Sequence, residues 1–173
     1  MQQGHKPHLD KKKLSLGCAV ITVSDTRTKE DDYSGAYLVE NLKKAAHQVV
    51  YYEIIADEAS QIGAVLEQVL QVTGNLDVLI FNGGTGIAPR DTTYDALSVK
   101  LEKTLPGFGE LFRYLSYQEI GSRAIASRAV AGTYKGKLIF SLPGSTQAVK
   151  LAMEKLIEPE LVHLIIQLKG DNL

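Results

Sequence analysis

The sequence has little of several features that mark common classes of protein. A single cysteine, Cys18, stands among 173 residues, so no disulfide can form within the chain. Its apolar surroundings favour a buried side chain over a reactive thiol. No apolar run reaches the roughly 18 residues of a membrane-spanning helix, and the start lacks the apolar segment of a signal peptide. We therefore expect a cytoplasmic protein that does not bind a membrane.

Charge of neither sign dominates, because 19 basic and 20 acidic residues leave a formal net charge of -1. No global field would draw such a protein onto nucleic acid or an anionic membrane, so any anion must be held by local chemistry. With 45% hydrophobic residues, the chain is long enough for one buried core and short for two. We predict a single domain over residues 14–173, preceded by a flexible polar tail over residues 1–13.

Short apolar runs alternate with amphipathic stretches along the predicted domain. Strands are predicted in CAVITVS, VVYYEII and LDVLIF, and helices follow them in SGAYLVENLKKAAH, SQIGAVLEQVLQV and TTYDALSVKLEK. Helical spacing continues in PGFGELFRYLSYQEIG, two strands around a Lys-Gly turn are predicted in SRAVAGTYKGKLIFSL, and helices in TQAVKLAMEKL and PELVHLIIQL. This alternation is typical of an α/β fold with a mostly parallel sheet between helix layers.

Polar residues cluster where the predicted strands end. The segments that follow strands are SDTRTKEDDYSG, ADEAS, NGGTGIAPRD and PGST. In an open parallel sheet, ligands bind beyond the carboxyl ends of the strands. If these strands run parallel, the four segments share one edge of the sheet, and that edge is the candidate site.

The glycine-rich segment after the third strand lacks both standard phosphate fingerprints, the Lys-Ser/Thr ending of the P-loop and the G-x-G-x-x-G dinucleotide spacing. Glycines can still turn successive N–H groups into one concavity, and a helix start near Asp91 favours an anion. Thr85 adds a hydroxyl donor, and Pro143, Gly144 and Ser145 form a second candidate anion pocket. The two loops suggest two phosphate-sized sites. The alternative for the glycine loop is a tight connection without a ligand.

Two carboxylates, Asp57 and Asp91, accompany these loops. Each precedes a predicted helix, so either one alone is most simply interpreted as a helix N-cap. Their joint placement favours another role, because two carboxylates at this edge can hold Mg²⁺ with phosphate oxygens and water completing the shell. Phosphoryl and nucleotidyl transfer depend on that combination of positioning and charge neutralisation.

Other polar and aromatic residues have simpler interpretations. His47 and His163 have no metal-ligand spacing and are expected to be surface or hydrogen-bonded histidines on helices. The KEDD run, residues 29–32, is expected to be a solvated loop and helix start. The stripe around Phe108 and Phe112 is expected in the core, with an oligomer interface as the alternative.

Five segments, in order along the chain, resemble the molybdenum-cofactor biosynthesis family typified by MoaB and MogA, and they are closer to its MoaB branch. They are TVSDTR with DDYSGAYL, NGGTG followed by RD, PGFGELFRYLSYQEIGSRA, SRAVAG and LIFSLPGST. The resemblance runs from about Leu14 to Leu168. One departure is Asn82, where many relatives carry threonine or serine before the glycines.

The resemblance implies a three-layer α/β/α sandwich that binds molybdopterin, a pterin dithiolene with a terminal phosphate. In active members this phosphate attacks the α-phosphate of Mg-ATP, which gives adenylyl-molybdopterin and pyrophosphate. The implied cofactor is Mg²⁺ with ATP. The implied partners are molybdopterin, ATP and other proteins of the pathway, and the implied assembly is a homo-oligomer, either a trimer or a hexamer of two trimers.

By similarity, Asp57 and Asp91 match the family's catalytic carboxylates, which bind Mg²⁺ and orient the triphosphate. Ser24 and Asp25 are further edge residues, and the substrate phosphates would contact Gly83, Gly84, Thr85, Gly86, Pro143, Gly144 and Ser145. A Cβ at Gly84 is expected to weaken ligand binding more than folding, because it would block close approach of the backbone.

Three functions agree with these residues. The first is an adenylyltransferase that acts on molybdopterin. Some MoaB-type proteins have lost the first of the two carboxylates, and this sequence keeps both, which favours that function. The second is a non-catalytic molybdopterin-binding carrier of the same pathway. A general nucleotide-binding domain with another second substrate is the remotest of the three.

Overall fold

A six-stranded sheet forms the centre of the molecule, which a computed structural model describes over residues 14–170. The predicted tail lies outside the described residues. The elements, in chain order, are β1 (Gly17–Val23), α1 (Tyr33–Lys44), β2 (Gln48–Ile55), α2 (Ala59–Val72), β3 (Val78–Asn82), α3 (Thr93–Ser98), β4 (Lys103–Thr104), α4 (Pro106–Ile120), a 3-10 helix (Gly121–Ala126), β5 (Val130–Tyr134), β6 (Lys137–Leu142), α5 (Thr146–Ala152), a π-helical segment (Met153–Ile157) and α6 (Glu158–Lys169).

The strands lie in the order β2-β1-β3-β6-β5-β4. β2, β1, β3 and β6 run parallel, and β5 and β4 extend the sheet antiparallel. The predicted α/β fold with a mostly parallel sheet is confirmed. Because β1, β3 and β6 are parallel neighbours, their carboxyl ends meet at one edge of the sheet. None of the helices in residues 14–170 combines the length and apolar character that a membrane span requires.

Alternate residues of the central strands face opposite layers of helices. On β1, Cys18 and Val20 belong to the core packed under α1, α4, α5 and α6, while Ala19 and Ile21 belong to the core under α2 and α3. This follows from the two-residue period of a strand that is buried on both faces. The predicted burial of Cys18 is confirmed, and burial, with the nearby charge of Asp77, raises the pKa of its thiol to about 12.

Two local predictions about turns and aromatic residues are also confirmed. The β5–β6 connection is a two-residue turn in which Lys135 and Gly136 both have positive φ, 46° and 69°, as the type I′ hairpin turn requires. Phe112 is buried in the core, and the ring of Phe108 packs edge-on against Phe140 at 5.2 Å between centroids.

The predicted helix over residues 92–103 is wrong in its second half. α3 ends at Ser98, and the chain continues into the edge strand β4. Beside β4, the N–H of Glu102 donates to the carbonyl of Thr133 and the N–H of Leu105 to that of Ala131, both at 2.8 Å. Pairing with β5 therefore outweighs the modest helix propensity of this segment, which local periodicity alone could not reveal.

His47 lies past the end of α1, not on the helix surface where it was predicted, and it is buried. Its Nδ1 accepts the N–H of Leu16 at 3.3 Å, so the interpretation as a hydrogen-bonded histidine is confirmed. Burial lowers the pKa of His47 below its ordinary value of 6.5, although the charges of Glu158 and Asp77 oppose the shift.

We expect acidification to destabilise the protein through His47. The pKa of His47 is lower in the folded state, so the unfolded chain binds the proton more readily. The free energy of unfolding that is present above about pH 6.5 is therefore lost as the pH falls toward the folded pKa. The slope is at most about 1.4 kcal/mol per pH unit. Urea unfolding at about pH 7.5 and about pH 5.5 measures this loss. In His47→Gln, an amide oxygen can accept the Leu16 N–H without titrating. The same pH dependence in both proteins would contradict the assignment.

Candidate functional site

A cavity of about 480 Å³ lies at the carboxyl ends of β1, β3 and β6. The predicted site residues line it with two exceptions, Asp25 and Asp57. Those that line it are Ser24, Gly83, Gly84, Thr85, Gly86, Asp91, Pro143, Gly144 and Ser145. The structure therefore joins the first, third and last of the predicted strand-exit loops in a single cavity.

The glycine loop leaves β3 through two residues with positive φ, Gly83 at 103° and Gly84 at 63°. The loop is fixed at its start, where the Gly83 N–H donates to the carbonyl of Leu142 at 3.0 Å, and again where the Gly84 carbonyl accepts the N–H of Thr93 at 2.9 Å. In the same loop, the four successive N–H groups of residues 84–87 donate to no other group in the described part of the chain. Unpaired amides in a glycine turn are a common means of binding an anion.

The direction of a side chain at Gly84 bears on the expectation about a Cβ at this position. A Cβ built there would lie 2.3 Å from Asp57 Oδ2 and 2.3 Å from Thr93 Oγ1, so it would enter the protein. Thr93 Oγ1 is buried and has no hydrogen-bond partner among the described residues. A larger residue at Gly84 would therefore disturb folding directly, a cost that the expectation, which considered the approach of the backbone to a ligand, did not include.

The second predicted loop contacts the first. A Cβ built at Gly144 would lie 3.0 Å from the Cα of Gly83, so these two backbones approach as closely as glycines allow. Ser145 is the N-cap of α5, and its Oγ accepts the N–H of Ala148 at 3.2 Å. The two loops thus form one continuous wall of the cavity.

Asp57 lies behind the glycine loop. Its side chain is buried, and Oδ1 accepts both the N–H of Thr92 at 3.0 Å and the Thr92 hydroxyl at 2.8 Å. The N-cap of α2 is Glu58, so the helix-capping alternative for Asp57 is wrong. Asp57 instead ties the loop after β2 to the segment that enters α3.

Asp91, unlike Asp57, lines the cavity. Its Oδ2 accepts the N–H of Ala88 at 3.1 Å, while Oδ1 has no hydrogen-bond partner among the described residues. The N-cap of α3 is Thr92, so the capping alternative for Asp91 is wrong as well. A Cβ at Gly86 would lie 2.6 Å from Asp91 Oδ2, which shows that the carboxylate packs directly against the glycine loop.

Asp25 is held in an exposed cluster that links three strand-exit loops. Arg90 donates to both of its oxygens, at 2.8 and 2.9 Å, and to Glu58 at 2.6 Å. The hydrogen bonds from Arg90, followed by that from the N–H of Asp57, hold the pKa of Asp25 below its usual value. Ser24 shapes the same loop, because its Oγ accepts the N–H of Arg27 at 3.2 Å.

Two arginines that line the cavity were missed in the sequence. Arg27 donates to the Ser34 hydroxyl at 2.5 Å and to the carbonyl of Gly144 at 2.9 Å, so it joins the first and last loops. Its position in TVSDTR, just after a predicted strand, was a usable signal. Arg123 comes from the 3-10 helix, and Ser116 and Ser127 also line the cavity. No strand precedes Arg123 directly, so the exit-loop argument could not find it.

Asp32 is a buried anchor beneath the first loop, which corrects the expectation that residues 29–32 are all solvated. Only 1% of Asp32 is exposed. Its carboxylate accepts from Thr22 at 2.5 Å, Tyr52 at 2.7 Å, Ser34 at 3.0 Å and the N–H of Gly35 at 2.9 Å. Burial acts to raise the pKa of Asp32, but these hydrogen bonds together lower it.

Asn82 extends this network to the glycine loop. Its amide donates to the Thr22 hydroxyl at 2.9 Å, and its oxygen lies 2.9 Å from the Ser34 hydroxyl, whose single proton is shared between Asn82 and Asp32. Since Ser34 also binds Arg27, the network fixes the end of β3 relative to a basic side chain of the cavity. Asn82 thus has a structural role at the position where the resemblance noted a departure.

The chemistry of the cavity suits a ligand with several negative charges. Unpaired amides and two guanidinium groups supply hydrogen-bond donors and positive charge, and one carboxylate oxygen of Asp91 has no partner among the described residues. Residues 14–170 contain no group of three His, Cys, Asp or Glu side chains that could enclose a metal ion. A metal at this site would therefore need ligand oxygens to complete its shell, as Mg²⁺ commonly does with phosphates.

These features form a cavity at the sheet edge whose lining suits an anionic ligand, and the comparison with known families identifies the class of protein. The sequence profile of a family described as a probable molybdopterin binding domain matches residues 19–163. The chain belongs to this family, and the resemblance to molybdenum-cofactor biosynthesis proteins of the MoaB type is confirmed.

Individual relatives agree with this membership. The chain is 52% identical over 159 residues to molybdenum cofactor biosynthesis protein B of Halalkalibacterium halodurans, covering 91% of this chain and 93% of the relative. A crystal structure of molybdenum cofactor biosynthesis protein B superposes with a TM-score of 0.87 at 48% identity, over 91% and 98% of the two chains. For the tungsten cofactor synthesizing protein MoaB of Pyrococcus furiosus the TM-score is 0.83 at 36% identity, over 90% and 98%. The implied MoaB-like sandwich is confirmed, and family membership supports a role in molybdenum cofactor biosynthesis.

Proposed function

We propose that this protein is a molybdopterin adenylyltransferase. An oxygen of the terminal phosphate of molybdopterin attacks the α-phosphorus of ATP. The new P–O bond forms as the bond between the α-phosphorus and the oxygen that bridges the α- and β-phosphates breaks. Pyrophosphate leaves with that bridging oxygen. The observation that carries the proposal is the row of unpaired amides at residues 84–87, in a loop that lines a cavity together with Asp91 and Arg27.

The two loops and the two arginines have the roles of binding and orientation in this proposal. The amides of the glycine loop would donate to phosphate oxygens, and Arg27 and Arg123 would neutralise part of their charge. Arg27 is already oriented by Ser34 and by the carbonyl of Gly144, so little ordering is needed when a ligand binds. Because phosphoryl-type transfer depends on positioning and electrostatics, these contacts supply what the reaction requires.

Mg²⁺ fits this site as a companion of ATP. Asp91 would hold it through the oxygen that lacks a partner among the described residues, and substrate phosphate oxygens and water would complete the shell. When bound, the ion would neutralise charge on the triphosphate. Asp57 contributes differently in this proposal, since its Oδ1 binds Thr92 and holds the loop from behind.

The second candidate function is a molybdopterin-binding carrier without catalytic activity. One observation favours it: of the two carboxylates that the resemblance places at the metal, only Asp91 lines the cavity. A site with one carboxylate could bind the terminal phosphate and still fail to organise Mg-ATP. Binding measurements alone cannot distinguish the two functions, because they share the same cavity.

Pyrophosphate release by the purified protein tests the proposal. We expect release from ATP with Mg²⁺ only when molybdopterin is also present, measured with a coupled pyrophosphate assay. Molybdopterin binding without release under any divalent metal would overturn the enzyme proposal in favour of the carrier. Release of equal size without molybdopterin would mean that water accepts the adenylyl group, which would indicate a general nucleotide-binding protein in place of a molybdopterin-specific enzyme.

We also propose that the protein forms a homo-oligomer, as the resemblance implies. Support comes from large apolar side chains exposed on and just after α4, because monomers rarely expose contiguous apolar patches of this kind. They are Leu111, Tyr114, Tyr117, Ile120 and Ile125. Light scattering would give the mass in solution, and a monomer at all concentrations would exclude this assembly.

A further inference from the structure

Arg128 binds the backbone of the glycine loop from a distant part of the chain. It lies between the 3-10 helix and β5, and its guanidinium donates to three carbonyl groups of the loop. Nε donates to Thr85 at 3.1 Å, and Nη2 donates to Gly86 at 2.6 Å and to Asp91 at 3.4 Å. A single side chain therefore contacts both ends of the segment from Thr85 to Asp91.

The guanidinium is itself held in place from α3. Nη1 donates to both carboxylate oxygens of Asp95, each at 3.0 Å. Its planar face lies over the ring of Tyr94 at 4.8 Å, a cation–π contact. Only 25% of the Arg128 side chain is exposed. These contacts leave the side chain little freedom, so the carbonyls that it binds are held against a fixed group.

Fixing a carbonyl also fixes the N–H of the same peptide unit. The peptide is planar and trans, so its C=O and N–H point in opposite directions. Arg128 at the carbonyls of Thr85 and Gly86 therefore sets the direction of the Gly86 and Ile87 N–H groups, two of the unpaired amides. The same geometry holds at Asp91, whose carbonyl binds Arg128 while the next N–H donates to Asp57.

We propose that Arg128 is a positioning residue for the anion-binding loop. It is not among the residues that line the cavity and would not touch the ligand. Its role is to hold the loop carbonyls so that the amides of Gly86 and Ile87, and the backbone of Asp91, are oriented before the ligand arrives. The inference rests on the proposed function in one respect: phosphate groups of the ligand are taken to accept hydrogen bonds from these amides.

Arg128→Lys tests the positioning of the loop without any ligand. A lysine has the same charge and a similar stem, but its single ammonium group cannot match the fork that binds three carbonyls and Asp95. We expect the hydrogen-bonded amides that follow the glycines, those of Ala88, Asp91 and Thr92, to exchange roughly tenfold faster, with most other segments unchanged. Arg113→Lys is the matched control, because Arg113 is a half-buried arginine of α4 beside Gly109 that does not line the cavity. Equal loop exchange in wild type and Arg128→Lys would overturn the inference.

Binding of inorganic pyrophosphate then separates positioning from a general loss of stability. By calorimetry well below the melting temperature, we expect Arg128→Lys to bind pyrophosphate roughly tenfold more weakly than wild type and Arg113→Lys to bind it normally. Lower melting temperature with unchanged affinity would overturn the inference and leave Arg128 a purely structural role. A wild type that shows no molybdopterin-dependent reaction, while Arg128→Lys still loosens the loop and weakens pyrophosphate binding, would refute the adenylyltransferase and support the positioning role.

Discussion

Asp91→Asn is expected to slow molybdopterin-dependent pyrophosphate release by about 100- to 1,000-fold, a loss like that on removing one preorganised hydrogen-bond donor from an oxyanion hole. Molybdopterin affinity and melting temperature should change little. The asparagine oxygen can still accept the N–H of Ala88, which preserves the loop, while the charge that would attract a divalent metal is gone. Initial rates of pyrophosphate release, with molybdopterin binding measured on the same samples, provide the comparison.

Asp31→Asn is the matched control for this experiment. Asp31 is an exposed carboxylate of the first strand-exit loop, and its Oδ1 accepts the N–H of Thr28 at 2.5 Å without lining the cavity. The same chemical change should leave the rate near that of wild type. If Asp91→Asn retained the wild-type rate at saturating Mg²⁺, a metal role for Asp91 would have to be abandoned, whatever the fold resembles.

The location of the site could be predicted because it depends on features that are local in the sequence. The strands β1, β3 and β6 are largely apolar and end at Val23, Asn82 and Leu142, and each is followed by small or polar residues. Parallel neighbours bring such ends together, so the order of strands did not need to be known in detail. The glycine loop and the Ser145 loop were found in this way.

The different placements of the two carboxylates could not be predicted, because each is set by packing between loops. Asp57 and Asp91 both follow strands and both precede helices, and nothing local distinguishes them. Asp57 is drawn behind the glycine loop by Thr92, a residue 35 positions later in the chain. Asp91 remains at the cavity wall, where its Oδ2 binds the nearby Ala88 N–H.

Local sequence patterns also could not predict the residues that reach the site from later in the chain. Arg123 and Arg128 follow α4, which no predicted strand precedes directly, and their places depend on how the chain returns to form β5. Asp32 is a different case. It has the N-cap position of α1 and accepts the N–H of Gly35, so capping rules could have identified it before the charge run was interpreted as solvated.

Gly84→Val is expected to destabilise the protein by about 2–5 kcal/mol. Part of the loss is the positive φ of 63°, which costs a residue with a Cβ about 1–2 kcal/mol. The rest is overpacking, typically about 1–3 kcal/mol, because the Cβ would lie 2.3 Å from both Asp57 Oδ2 and Thr93 Oγ1. Urea unfolding would measure the change in free energy. Ligand binding should fall as well, because the atoms that must move belong to the support of the loop.

Gly136→Val separates these two costs. Gly136 also has a positive φ, 69°, but a Cβ there would have no atom within 4 Å outside its immediate chain neighbours. This variant should therefore lose only the backbone contribution of about 1–2 kcal/mol. The additional loss in Gly84→Val then measures how tightly Asp57 and Thr93 hold the loop from behind. Equal losses of unfolding free energy in the two variants would mean that Asp57 and Thr93 move aside at little cost. In that case the original expectation, that a side chain at Gly84 harms the ligand more than the fold, would regain its support.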